Sequence, residues 1–380
     1  MQVKRILFSE IQQALEGGKV VLVVGPRQVG KTTLLKMIAK HVRQKWLWLD
    51  CDEPDVRELL TNVSSTALRS IIGDAELVII DEAQRVKNIG LTLKLITDKI
   101  SNVKLLVSGS SSLELANEIK EPLTGRKIAF MLLPFSVEEM IRHSSLLEEK
   151  RLLEQRMIFG MYPEVVKQPF KARAMLRELS ESYLYKDIFT FQDIRKPEVV
   201  HKLLQALSLQ VGSEVSFHEL ARLSGSDQAT VQRYLDLLEK AFVIFRLPAF
   251  SRNLRTELRK SRKFYFYDNG IRNALINQYQ PLATRTDLGA LWENFLVSER
   301  TKYLAYHKLH PNQYFWRTVK KQEIDYLEDE DGKILAVEFK WNPNAKPRFP
   351  KPFTEAYKGV ETKVISPDNY LDFITGRDEG

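Results

Sequence analysis

Between an unbroken apolar run at residues 20–24 and a helix-forming stretch, the chain reads Gly25-Pro26-Arg27-Gln28-Val29-Gly30-Lys31-Thr32-Thr33. This fits GxxxxGK[ST] in full, in the strand-to-helix context that the motif requires. Successive backbone N–H groups of such a loop, ending at a helix N-terminus, make a concave site for phosphate oxygens. Gly25 and Gly30 let the backbone turn and approach closely, and Pro26, Gln28, Val29 and Thr33 complete the cradle. Lys31 is placed to reach the β- and γ-phosphates as a point charge, and Thr32 to give its hydroxyl to Mg²⁺. The expected ligands are therefore ATP and Mg²⁺.

A partner for this loop stands fifty residues beyond Lys31. The run at 76–82, ELVIIDE, is an apolar strand closing on two carboxylates. Asp81, at the strand's end, suits Mg²⁺ held through water, and Glu82 suits polarisation of an attacking water. Further strands are expected at 46–49, 104–109 and 128–133, with helices at 5–16 and from Lys31 to about residue 43. The strand at 104–109 runs into Ser108-Gly109-Ser110-Ser111-Ser112, and Leu123-Thr124-Gly125-Arg126 precedes the one at 128–133. In ring-forming ATPases, Ser108 or Ser110 would be placed to feel the γ-phosphate, and Arg126 to reach a neighbour's nucleotide. A serine-rich helix cap and a surface contact fit the same residues.

These motifs, with LTGRK before LLPFSVEE and with GMYPEVV, resemble the bacterial and archaeal AAA+-type ATPases whose C-terminal half is the domain of unknown function 4143. The resemblance covers nearly the whole chain. It implies an α/β P-loop core over 1–147, with the strand after the Asp-Glu box lying between that box's strand and the loop strand. A helical lid is expected over 148–198. Many ring ATPases carry a second sensor arginine in the lid. Gly160-Met161-Tyr162-Pro163-Glu164 offers none, and neither Arg156 nor Arg173 is assigned.

Residues 199–270 have the pattern of a winged helix: helices at 199–210 and 217–223, a Ser224-Gly225-Ser226 turn, an Asp227-capped third helix to Lys240, and two strands. Between and within those strands lie Arg252, Arg255, Arg259, Lys260, Arg262 and Lys263, six basic residues in twelve positions. Such a wing suits DNA phosphates, although solvated charges on a protein-binding wing would look alike. The chain's net charge of +8 agrees with a polyanion partner.

Residues 271–380 are expected to form an α+β domain. A helix at 288–306 sets Trp292, Phe295, Leu296 and Glu299 on one face, and the segments QEIDYLE and KILAVEFK flank an Asp331-Gly332 turn. That turn pairs Glu330 with Lys333, hence Asp325 with Glu338 and Glu323 with Lys340. Two opposed carboxylates need a reason, and a divalent cation supplies one. The pattern resembles the PD-(D/E)xK nucleases, which implies Glu293, Asp325 and Glu338 as Mg²⁺ ligands with Lys340 assisting. By helical phase Glu299 competes with Glu293. A hairpin kept for shape, or for docking DNA without cutting it, fits equally.

No apolar run approaches bilayer thickness, and neither the N-terminus nor the single cysteine, Cys51, suggests export. A cytoplasmic protein is expected. An ATPase core followed by a winged helix also resembles Holliday-junction branch-migration motors, so the leading expectation is an oligomeric, hexameric motor on duplex or branched DNA. A nucleotide-gated switch and an ATP-controlled nuclease are the alternatives.

Overall fold

The computed structural model describes residues 3–100, 102–109, 123–183, 196–250 and 262–376. Its contacts divide the chain into two compact units, residues 1–135 with 240–242, and residues 136–239 with 243–380.

The first unit is built on five parallel strands, β1 (Val20–Val24), β2 (Trp46–Asp50), β3 (Leu77–Asp81), β4 (Lys104–Gly109) and β5 (Lys127–Met131). Their order is β2-β3-β4-β1-β5, with β4 between the Asp-Glu strand and the loop strand as expected. Strands covered on both faces need continuous apolar sequence, and Leu77 to Asp81 is buried throughout. Because all five strands run the same way, the segments leaving β1, β3 and β4 emerge at one edge of the sheet. The segment entering β5, including Arg126, lies at the opposite edge, where the Arg126 carbonyl accepts the Val20 N–H at 2.9 Å.

The second unit opens with short helices, Val137–His143, Leu146–Arg151, Leu153–Phe159, Pro163–Lys167 and Ala172–Glu178. A winged-helix module comes next: helices Pro197–Leu209, Phe217–Ser224 and Gln228–Lys240, with β6 (Glu214–Val215), β7 (Ile244–Pro248) and β8 (Arg262–Phe266) in the order β6-β8-β7. Gly225 takes φ +69° at the turn, and Asp227 accepts the Thr230 N–H at 2.8 Å. The helix Leu288–Tyr306 packs with a second sheet of β9 (Asn312–Arg317), β10 (Glu323–Glu330), β11 (Lys333–Phe339) and β12 (Glu361–Ile365), ordered β12-β11-β10-β9.

The hairpin register is the one its turn dictates. Asp331 and Gly332 both have positive φ, +52° and +83°, and Glu330 pairs with Lys333. The ladder continues to Tyr326 opposite Val337, which brings Asp325 and Glu338 next in line. Glu323 departs from expectation. The β9–β10 register shifts between Ile324 and Leu327, Glu323 pairs with Arg317, and its carboxylate holds Lys263 at 2.6 Å instead of meeting Lys340.

Candidate functional site

The loop after β1 has the backbone its sequence requires. Gly25 has φ +154°, and a Cβ there would stand 2.0 Å from the Leu132 carbonyl oxygen, so only glycine fits. Gly30 caps the helix Lys31–His41 at φ +94°. Lys31 is buried, and its ammonium donates to the carbonyls of Gly25 (3.0 Å) and Pro26 (2.8 Å), which sets it over the loop itself. Val29 is buried, Thr32 is half-buried, and Gln28 and Thr33 are exposed.

Arg5 is a component that no motif announced. Its buried guanidinium donates to the Val29 carbonyl at 2.8 Å and to the Leu133 carbonyl at 2.6 Å. It thereby ties the loop to the segment that packs on Gly25. Its partners are 24 and 128 residues away, so local spacing carries no trace of it.

At the ends of β3 and β4 a second cluster forms. Ser108 is fully buried; its hydroxyl donates to Asp81 and accepts the Glu82 N–H at 3.0 Å. Glu82 adopts a left-handed backbone, φ +53° and ψ +41°. Its carboxylate Oε2 accepts from the Gln84 amide at 2.6 Å. β4 alone separates β3 from β1, so about 10 Å lies between these carboxylates' strand and the loop strand, a gap of triphosphate scale. Ser110 lies outside the described residues.

Arg126 is not brought to this edge. It pairs with Asp98 at 3.0 Å, nearly half exposed. Arg156 is held through two nitrogens by Glu149, at 2.7 and 2.9 Å, deep in the second unit. Arg173 stacks on Tyr279.

The C-terminal constellation corrects two expectations. Lys263 is not a phosphate-binding wing residue: it is fully buried between Glu293 (3.0 Å) and Glu323 (2.6 Å). Burial opposes its charge, yet Glu293, Glu323 and Asp325 together hold its pKa above the ordinary lysine value. Arg262 stacks on Phe217, and Arg252, Arg255, Arg259 and Lys260 lie outside the described residues.

The metal set is the second correction. Among the described residues no group of three or more His, Cys, Asp or Glu is placed to hold a metal ion. Lysines balance the carboxylates instead. Lys340 sits 2.7 Å from Glu338 and 3.5 Å from Asp325, while Lys263 and the Tyr265 hydroxyl (2.6 Å) hold Glu293. Glu293, not Glu299, is the helical glutamate within electrostatic reach of Asp325. Glu299 instead binds Lys302 at 2.6 Å and the Val137 N–H at 2.7 Å.

A buried polar joint also escaped sequence reasoning. Asp268 accepts the N–H groups of Met161 (2.6 Å) and Ile271 (3.1 Å), and burial pushes its pKa up to about 6 although Lys302 and these donors oppose the rise. A Cβ on Gly160 would meet the Asp268 carboxylate at 2.0 Å. The glycine of GMYPE is therefore a packing requirement.

Residues 17–141 match the family model described as an AAA domain. This region is an AAA-type P-loop ATPase domain. Its residues 288–371 match the domain of unknown function DUF4143, and residues 150–281 match the domain of unknown function DUF8612. The full chain is 28% identical over 343 residues to an uncharacterized protein of Mycobacterium tuberculosis, covering 89% of this chain and 74% of the relative. An uncharacterized protein of Methanocaldococcus jannaschii is 24% identical over 404 residues, covering 99% and 86%. Among solved structures, a Walker-type ATPase of Pyrococcus abyssi is similar at 18% identity, 72% and 96% coverage and TM-score 0.49. A Holliday junction branch migration motor of Thermotoga maritima is similar at 18% identity, 68% and 95% coverage and TM-score 0.34. Among the described residues no helix is long and apolar enough to cross a membrane.

Proposed function

We propose that this ATPase is a homo-oligomeric, hexameric motor that works on DNA, with branched duplex as its preferred substrate. Gly25, Pro26, Gln28, Val29, Gly30, Lys31, Thr32 and Thr33 hold the nucleotide. Thr32 and Asp81 would hold Mg²⁺, which neutralises charge on the phosphates when bound. The donor chemistry fits: a loop that tolerates no Cβ at Gly25, a buried lysine at its centre, and an aspartate fixed by Ser108. Glu82 takes a proton from the attacking water.

The DNA assignment rests on how charge is used in the winged-helix module. Asp227 is engaged by Thr230, and Asp236 and Glu239 both bind Arg246. Arg222 of the second helix and Gln228, Gln232 and Arg233 of the third are exposed. A cationic, amide-bearing surface on the second and third helices of such a module suits phosphates and base edges. Arg126, exposed at the far edge of the sheet, would address a second copy, which is the oligomeric part of the proposal.

The test is ATP turnover with and without linear and four-way duplex DNA over a salt series. Stimulation that is greater for the junction and weakens with salt is expected. Turnover indifferent to every DNA form would overturn the DNA assignment.

A further inference from the structure

Glu82 is held more closely than a side chain at the end of a strand needs to be. A left-handed backbone at a non-glycine residue is unfavourable on its own, so surrounding contacts must enforce it. Ser108 accounts for the backbone: its hydroxyl, buried and already donating to Asp81, accepts the Glu82 N–H. That contact leaves the carboxylate's own torsions unrestrained. Gln84 supplies the remaining restraint, because the 3-10 turn Ala83–Arg85 brings its amide back to Glu82 Oε2 at 2.6 Å. Among the described residues no hydrogen bond is made to Oε1.

We infer that Gln84 is a positioning residue for hydrolysis: it fixes one oxygen of Glu82 so that the other is presented to the attacking water. The inference rests on the role proposed for Glu82. In the step concerned, the water oxygen bonds to the γ-phosphorus, its proton passes to Glu82 Oε1, and the bond to the ADP oxygen breaks. Proton abstraction demands that the acceptor stand within hydrogen-bond reach in one orientation. A carboxylate free to rotate satisfies that only part of the time. A glutamine is suited to this work because its amide donates at every pH while adding no charge to a site that must accept a polyanion. Asp81 and Glu82 thus share one pattern, in which a neutral side chain secures one oxygen of each acid.

The experiment compares Gln84→Ala and Gln84→Glu in the full-length chain, each alone and in a Glu82→Gln background. Binding of a fluorescent ATP analogue is measured beside steady-state turnover. Gln84→Ala should lower kcat by about tenfold or more while KM and analogue affinity stay within about twofold, since only orientation is lost. In the Glu82→Gln background it should lower the residual rate no further.

Gln84→Glu keeps the volume and reverses the hydrogen bond. It should be as slow as Gln84→Ala at about pH 8 and gain on it below about pH 6, where a protonated carboxyl donates again. Unchanged kcat in Gln84→Ala, an equal loss in both backgrounds, or parallel pH profiles for the two variants would each overturn the inference. Wild-type turnover in Glu82→Gln alone would instead remove the role proposed for Glu82, a separate result that needs no Gln84 variant.

Discussion

Glu293→Gln should change how the stability of the C-terminal unit depends on pH. The Glu293 side chain is 13% exposed and faces Lys263 and Tyr265 from β8 and Asp325 from β10. Burial raises its pKa against the pull of Lys263, Asp325 adds to the rise and Tyr265 opposes it, and the result is pushed up from 4.5 to about 7. The folded chain therefore keeps this proton until about pH 7, whereas the unfolded chain releases it near 4.5. Between those values the folded state binds more protons, so stability falls as pH rises. The contribution is fully present below 4.5 and lost through 7. At about 1.4 kcal/mol per pH unit, the difference amounts to about 3 kcal/mol. Glutamine has no such titration and still offers Oε1 to Lys263 and Tyr265, and Lys263 keeps Glu323. The stability of wild type relative to Glu293→Gln should therefore decline by about 3 kcal/mol from about pH 4.5 to 7.5. Asp268 titrates in the same window, but in both proteins, so it cancels in the comparison. Urea unfolding in a W46F/W48F background reports on the C-terminal unit alone, through Trp292, Trp316 and Trp341. Parallel pH profiles for the two proteins would refute the assignment of a buried, proton-holding carboxyl.

Gly25→Ala should lower affinity for a fluorescent ATP analogue by about tenfold or more, because the new methyl meets the Leu132 carbonyl, which is held in place by the Leu132 N–H to Val24 bond at 2.7 Å; wild-type affinity would show that the loop yields. Arg126→Ala should suppress turnover with nucleotide affinity unchanged, and mixing it with Lys31→Ala should restore part of the rate. A monomer by light scattering, with specific activity independent of concentration, would refute action across a subunit boundary. Mg²⁺ and Mn²⁺ should shift the melting temperatures of wild type and Asp325→Asn equally, since lysines occupy the carboxylates' surroundings; selective stabilisation of the wild type would reinstate a metal at the hairpin.

The parts legible in the sequence were those whose cause is local. A phosphate loop is written in contiguous residues, and its partner carboxylates stand after an apolar run whose direction fixes which sheet edge they reach. The hairpin register came from two residues, Asp331 and Gly332, because a two-residue turn with positive φ at both positions leaves one pairing. The helix Leu288–Tyr306 was harder. A single apolar face predicts Trp292, Phe295, Leu296 and Glu299 inside, and they are, but Asn294, Ser298 and Lys302 are buried as well. A helix enclosed nearly all round has no amphipathic period, and its polar residues read as solvent-facing until partners such as Phe266 and Tyr267 are known.

Lys263 shows what a charge count along the chain cannot decide. In a run of basic residues it counts as one more phosphate contact. β8, however, reads Arg262-Lys263-Phe264-Tyr265-Phe266, and alternation sets Lys263 and Tyr265 on one face and Phe264 and Phe266 on the other. All four are buried. A strand with aromatic residues on both faces belongs inside the protein, and a lysine inside must meet acids, because an unpaired buried ammonium is far too costly. Glu293 and Glu323 are those acids. The basic wing thus ends one residue before its last cation, at Arg262. At Lys263 positive charge serves the interior of the C-terminal unit, where it holds together carboxylates that would otherwise call for a metal.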